Sequence, residues 1–299
     1  MSFDRVAKEL REAGIPCVEG LSLKEYSTFR IGGRARLALF PRSVEELRAA
    51  VRILREAEMP LEIIGNGSNI LFGDGELRQT LIFTKEMTGL SKEGNRLVAM
   101  AGVSLASLAA KAAEASLSGL EFVRGIPGTV GGAIFMNAGA YGGSVSDVLS
   151  RSVAMDIETG KLLTLSEHEF GYRHSLYMKQ RNLICLGGTF LLREGNQACI
   201  LEKMRELAHC RREKQPLDYP SAGSYFKRPD GYFSGKLIED CGLKGMRVGD
   251  AAVSEKHAGF LINLGKATAE DVLRLEEIVK IAVMKEFGVA LEREVRLIR

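Results

Sequence analysis

Apolar positions along the chain follow two periods. In RSVEELRAAVRILREAE, Val44, Leu47, Val51 and Leu54 return at helical intervals, and Ser43 with Glu46 has capping-box spacing, so the segment predicts an amphipathic helix. The same period marks an Ala-rich helix in SLASLAAKAAEAS and a charged one in ACILEKMRELAHCRREKQP, which Pro216 ends. TAEDVLRLEEIVKIAVMKEFG carries Val272, Leu275, Ile278, Val279, Ala282 and Val283 on one face, with Gly288 placed to close the helix. Short β-branched or alternating runs predict strands at Leu61 to Ile64, in NRLVAMAG, in LICLGGTFLL and in the closing VALEREVRLIR. RSVAMDIETGKLLTLS reads as two strands about a turn at Thr159 and Gly160. Helices alternate with antiparallel-looking strand pairs, an α+β pattern without heptads or internal repeats.

Glycine interrupts this pattern in two places. GIPGTVGGAIFMNAGAYGG, residues 125 to 143, has seven glycines in nineteen residues and an apolar middle. Glycine costs chain entropy on folding, so this density calls for something close to the backbone, either the protein's own tight turns or a flat or anionic ligand. IGNGSN, after the strand at Leu61 to Ile64, is a second such loop. No G-x-x-x-x-G-K-[ST] is present, and GNGSNI has Ile70 where a dinucleotide fingerprint needs its third glycine. What remains is a pair of loops able to present backbone N–H groups to a pyrophosphate, or two structural turns.

Composition narrows the classes further. The 299 residues, 45% hydrophobic, suffice for two or three domains. With 41 basic against 38 acidic residues and a net charge of +3, no global field points to nucleic acid or a membrane. MSFDRVAKELREAG is charged and amphipathic without an apolar signal core, and no run approaches the about 18 apolar residues of a membrane span, so the expected compartment is the cytoplasm. Five scattered cysteines without C-x-x-C spacing suit reduced thiols. With His168, His174, His209 and His257 outside any H-E-x-x-H pattern, no metal site is expected. Near Gly195 the character changes to a helix and then the Gly-, Pro- and Tyr-rich LDYPSAGSYFKRPDGYFSG, which predicts a domain boundary.

Six blocks then carry a resemblance. STFRIGG (27 to 33), IGNGSNIL (64 to 71), the 125 to 143 stretch, GYRHS (171 to 175), AGSYFKRP (222 to 229) and LEREVRLI (291 to 298) together resemble the UDP-N-acetylenolpyruvoylglucosamine reductases, over residues about 27 to 298. The resemblance implies an FAD-binding domain of the vanillyl-alcohol oxidase (PCMH) type in two lobes, 1–83 joined by a final strand 290–299, and 84–195. A C-terminal α/β substrate domain, 196–289, would follow. It further implies NADPH as reductant, a UDP-sugar as substrate, and a monomer that engages no nucleic acid or membrane. The FAD contacts carried over are Arg30, Ile31, Gly32, Gly65, Asn66, Gly67, Ser68, Asn69, Ile70, Gly125, Ile126, Pro127, Gly128, Thr129, Gly131, Gly132, Asn137, Gly139 and Ala140.

For the chemistry, the resemblance implies three residues. Hydride addition to the terminal vinyl carbon leaves charge on the neighbouring carbon and its carboxylate. Arg173 would engage the carboxylate, Ser224 would donate the proton, and Glu294 would polarise the carboxylate or relay a proton. Lys214 matches a family lysine, and Arg211, three residues before it, suits a diphosphate as well as a solvated helix end. Tyr225 and Lys227 suit either a substrate contact or an exposed loop, and Arg296, two residues past Glu294 on the expected strand, would share its face. Ser27, Arg228 and Arg293 depart from the residues common in the family, and the short interval from Arg173 to Ser224 implies the subtype lacking a tyrosine loop. A flavin oxidase of the same fold, or a non-catalytic nucleotide-sugar binder, remains an alternative.

Overall fold

In the computed structural model, which describes residues 3–299, the Val44–Glu56 helix begins where its capping signal lies. Ser43 Oγ accepts the Glu46 N–H at 3.1 Å, and Glu46 Oε2 accepts the Arg42 N–H at 2.8 Å. The buried face of this helix, Leu47, Ala50, Val51 and Leu54, shares a core with Val6 and Leu10 of the Phe3–Glu12 helix and with Leu37, Leu39 and Ile82. Burying side chains of this size contributes roughly 1.5–3 kcal/mol each.

The described residues fall into two units. The first takes the chain through Glu19 together with Leu37–Asn66 and Arg78–His209, and the second takes Gly20–Arg36, Gly67–Leu77 and Cys210–Arg299. In the first unit Leu61–Ile64 runs parallel to Thr80–Phe83, which in turn pairs with Ala38 and Leu39. A five-stranded antiparallel sheet follows, in the order Leu162–Leu165, Leu149–Asp156, Leu183–Leu191, Arg96–Met100, Leu90–Glu93. The Leu105–Glu114 and Val130–Met136 helices share a core with this sheet, centred on Leu108, Val130, Ile134 and Phe190.

In the second unit Ser221–Ser224, Phe260–Asn263, Ala251–Val253 and Arg247–Val248 form an antiparallel sheet. The Ala269–Phe287 helix shares its core, and Ile70–Phe72 pairs in parallel with Arg296–Ile298. That helix starts at a capping box of Thr268 and Asp271 and ends at Gly288 in the left-handed conformation.

Three local expectations need correction. Ile278 is 38% exposed, whereas Glu276 is buried, because at about 100° per residue Glu276 falls inside the stripe of Ala269, Val272, Leu275, Val279 and Val283 and Ile278 falls outside it. The closing strand is only Arg296–Ile298. Arg293 bridges Phe226 before a bend at Val295, so period two does not relate Glu294 to Arg296. Within the glycine stretch, Val130–Met136 is a helix, and Gly139–Ala140 pairs with Gly143–Ser144 as a small hairpin.

Candidate active site

In the first unit the end of the Leu61–Ile64 strand meets the glycine stretch. Asn66 Nδ2 donates to the Pro127 carbonyl at 2.7 Å, and a Cβ added at Gly65 would lie 2.5 Å from Thr129 Oγ1. Asn66, Ile126, Pro127, Gly128 and Thr129 line a cavity of about 400 Å3 together with Lys85, Thr88, Val103, Ser104 and Ser107. Thr129 Oγ1 is buried and has no hydrogen-bond partner among the described residues. A buried hydroxyl is rarely left so, which makes it a donor suited to a ligand in this cavity.

Much of the glycine stretch is packed against the protein itself. The N–H groups of Ile126, Gly128, Val130 and Gly131 are donated to the carbonyls of Val123, Ile126, Val103 and Ala101. A Cβ at Gly131 would lie 2.9 Å from Ala101 Cβ, and one at Gly143 would lie 2.7 Å from the Phe122 ring. Glycine here lets the Val130–Met136 helix and the following hairpin sit close on their neighbours.

The same stretch braces Arg173. Gly171 and His174 exchange backbone hydrogen bonds of 3.1 and 3.2 Å, forming a tight turn with Tyr172 and Arg173 at its tip. Arg173 sits at φ +53°, a conformation that costs a residue with a Cβ about 1–2 kcal/mol. Its Nη2 donates to the Gly139 carbonyl at 3.1 Å, and its guanidinium lies 5.3 Å from the centre of the Tyr172 ring. Asn137 Nδ2 donates to Gly171 O at 3.0 Å, and Ser175 Oγ donates to Phe135 O at 2.6 Å. Below the turn, Ser152 Oγ lies 2.8 Å from His168 Nε2 and 2.7 Å from Tyr177 Oη, tying both ends of the segment to one strand. Burial lowers the His168 pKa, which favours the neutral ring in this network.

In the second unit the STFRIGG block is knit to Gly67. Thr28 N–H donates to Gly67 O at 3.3 Å, and a Cβ at Gly67, whose φ is +63°, would lie 2.0 Å from the Tyr26 carbonyl oxygen. Gly67→Ala is therefore expected to lower Tm by several degrees, since the left-handed strain alone costs about 1–2 kcal/mol. A thermal melt checks this, and a variant that keeps its Tm would count against it. Arg30 is exposed at φ +54°, Ile31 is buried in the core, and Gly32 packs on Phe72.

Ser224 is exposed at the end of its strand, after a register shift that includes Gly223 at φ +82°. Glu294 lies beside it in the backbone, its N–H donating to Tyr225 O at 2.9 Å. Asn69 Nδ2 donates to Glu294 O at 3.2 Å, and the Arg296 N–H donates back to Asn69 O at 3.0 Å. The remaining candidates are more scattered. Tyr225 is buried with its hydroxyl donated to Glu276, Lys227 pairs with Glu292, Arg211 is buried, and Lys214 is exposed. The three departures each have a local contact. Ser27 Oγ accepts the Phe29 N–H at 3.1 Å, the Arg228 guanidinium lies 3.8 Å from the Phe233 ring centre, and Arg293 faces Glu276.

Sequence reading missed Lys85, Thr88 and Ser104 as cavity residues. Ser104 opens the Ala-rich helix, where its Oγ accepts the Ser107 N–H at 3.0 Å. Lys85 follows a strand end, a position that carries no distinguishing local spelling.

Residues 35–166 match the family described as FAD binding domain, and residues 215–298 match the one described as UDP-N-acetylenolpyruvoylglucosamine reductase, C-terminal domain. The UDP-N-acetylenolpyruvoylglucosamine reductase of Clostridium novyi is 46% identical over 278 residues, covering 92% of this chain and 90% of its own. That of Exiguobacterium sibiricum is 47% identical, with coverages of 92% and 91%. The crystal structure of the reductase from Thermus caldophilus superposes with a TM-score of 0.81 at 35% identity, over 95% of this chain and 99% of that one.

Proposed function

Because the chain belongs to the UDP-N-acetylenolpyruvoylglucosamine reductase family, we propose that Arg173, Ser224 and Glu294 are the groups with which it reduces its enolpyruvyl UDP-sugar. The reaction is a step of peptidoglycan precursor synthesis and yields UDP-N-acetylmuramate. FAD, when bound, supplies the hydride and regains it from NADPH.

In the first unit, Gly65, Asn66, Gly125 to Thr129, Gly131 and Gly132 would hold FAD, with Asn137, Gly139 and Ala140. The fit rests on the cavity beside Asn66 and on the unpartnered Thr129 hydroxyl. Arg30 to Gly32 and Gly67 to Ile70 are the other residues that the family resemblance assigns to FAD.

Reduction of the vinyl carbon puts negative charge on the adjacent carbon and its carboxylate. The Arg173 fork matches a carboxylate in shape and charge, and its Gly139 bond sets its orientation before substrate arrives. Ser224 Oγ delivers the proton; a hydroxyl is a weak acid, but an enolate-like carbon is a strong base, and an exposed Ser224 is resupplied by water. Glu294 polarises the substrate carboxylate or passes a proton to Ser224. Arg211 and Lys214 would contribute positive charge toward the diphosphate, with Lys227 and Arg296 as further substrate contacts. On this reading the enzyme works in the cytoplasm as a monomer of the subtype without a tyrosine loop.

The observation that carries the reading is near-full-length identity to reductases across both matched regions. Anaerobic stopped flow tests it. NADPH is expected to bleach the flavin and the enolpyruvyl UDP-sugar to restore its colour, whereas recolouring by oxygen alone would favour an oxidase.

A further inference from the structure

The Ala269–Phe287 helix carries a carboxylate within its buried stripe. Glu276 is 4% exposed, among Val272, Leu275, Val279 and Val283. A buried carboxylate is costly unless its oxygens are matched, and here they are. Oε2 accepts the Tyr225 hydroxyl at 2.7 Å and lies 3.4 Å from Arg293 Nη1, while Oε1 meets Lys280 Nζ at 2.5 Å. Burial and the Glu276 charge raise the Tyr225 pKa far above neutrality, so its hydroxyl stays a donor.

Lys280 comes from the next turn of the same helix, but Tyr225 and Arg293 come from two other segments. Each is the direct neighbour of a residue assigned a chemical role: Tyr225 follows Ser224, and Arg293 precedes Glu294. Those segments also touch each other through the Phe226–Arg293 bridge, the Glu294 N–H to Tyr225 O bond, and the Lys227 N–H to Glu292 O bond of 2.8 Å. Apolar contacts could bury this region but would tolerate small slides between the segments. The Tyr225–Glu276 hydrogen bond demands a particular distance and angle, and the Arg293–Glu276 ion pair, whose buried Nη1 makes no hydrogen bond among the described residues, adds charge attraction, so the carboxylate favours one alignment of the two segments.

We propose that Glu276 is a positioning residue for proton delivery, setting the spacing of Ser224 and Glu294 through Tyr225 and Arg293 without touching substrate itself. This inference rests on the roles assigned above to Ser224 and Glu294.

The test uses FAD-loaded Glu276→Gln, which keeps an acceptor but removes the charge, and Tyr225→Phe, which removes only the hydroxyl. Ser224→Ala serves as the reference. Each variant is assayed at a temperature where circular dichroism shows it folded, with both half-reactions followed by stopped flow. Bleaching by NADPH is expected to stay near the wild-type rate, and recolouring by the enolpyruvyl UDP-sugar to slow roughly 10- to 100-fold, the scale of a small misplacement of reacting groups. Amide exchange at Glu294 is expected to accelerate in parallel.

A lower Tm with both half-reactions unchanged would mean that Glu276 only stabilises the fold, and would overturn the proposal. If Glu276→Gln does not fold, Tyr225→Phe decides by the same criterion. Normal recolouring in Ser224→Ala would overturn the premise and the inference with it. Loss there, with both other variants normal, would overturn the positioning role alone.

Discussion

Ser224→Ala is expected to leave bleaching of the flavin by NADPH at the wild-type rate and to slow recolouring by the enolpyruvyl UDP-sugar by roughly 10²–10⁴-fold, the usual contribution of a positioned general acid. The split follows from the role proposed for the hydroxyl, which would take no part in reducing the flavin yet would neutralise the charge left on the substrate carbon. Its exposure at a strand end means that removing Oγ disturbs no core packing, so stability should change by no more than about 0.5 kcal/mol. Double-mixing stopped flow, with NADPH added first and the UDP-sugar second, measures the two rates in one sample. Recolouring within tenfold of wild type would remove Ser224 from the chemistry.

Arg173→Gly separates stability from function in the opposite sense. At φ +53° the backbone of this turn favours glycine, so the substitution is expected to hold or raise Tm even though it deletes the Gly139 hydrogen bond. Activity should move the other way: losing one donor to a developing oxyanion costs about 10²–10³-fold, again in recolouring and not in bleaching. Arg173→Lys should recover little, because a point charge lacks the bidentate fork. An Arg173→Gly variant that melts lower yet turns over normally would show that the arginine serves the fold.

Much of the scaffold was legible locally. Ser43 and Glu46 announced a cap that forms, Thr159 and Gly160 a turn that joins two paired strands, and Gly288 a left-handed helix end. Each depends on residues within a few positions of one another, where propensity and side-chain period act directly. The glycine stretch was legible only as close approach. The structure shows that Gly131 and Gly143 face Ala101 and Phe122, while Gly65 faces Thr129 beside the cavity. Spelling alone does not distinguish a neighbouring strand from a ligand, since both ask the same thing of a Cβ.

By itself, then, the sequence determined the four helices at Val44–Glu56, Leu105–Glu114, Gln197–Lys214 and Ala269–Phe287, six of the strands, the α+β class and, through six ordered blocks, the family. The tertiary structure decided who meets whom. It placed Asn69 against Glu294, 225 positions away, and put Gly139 under the Arg173 guanidinium. It turned the last segment from Phe226 to Ile70 across the bend at Val295, and it buried Glu276 among valines. The physical reason is that side-chain periodicity records which face of an element leaves water, whereas partners and their alignment are set by long-range packing and by matching every buried polar group.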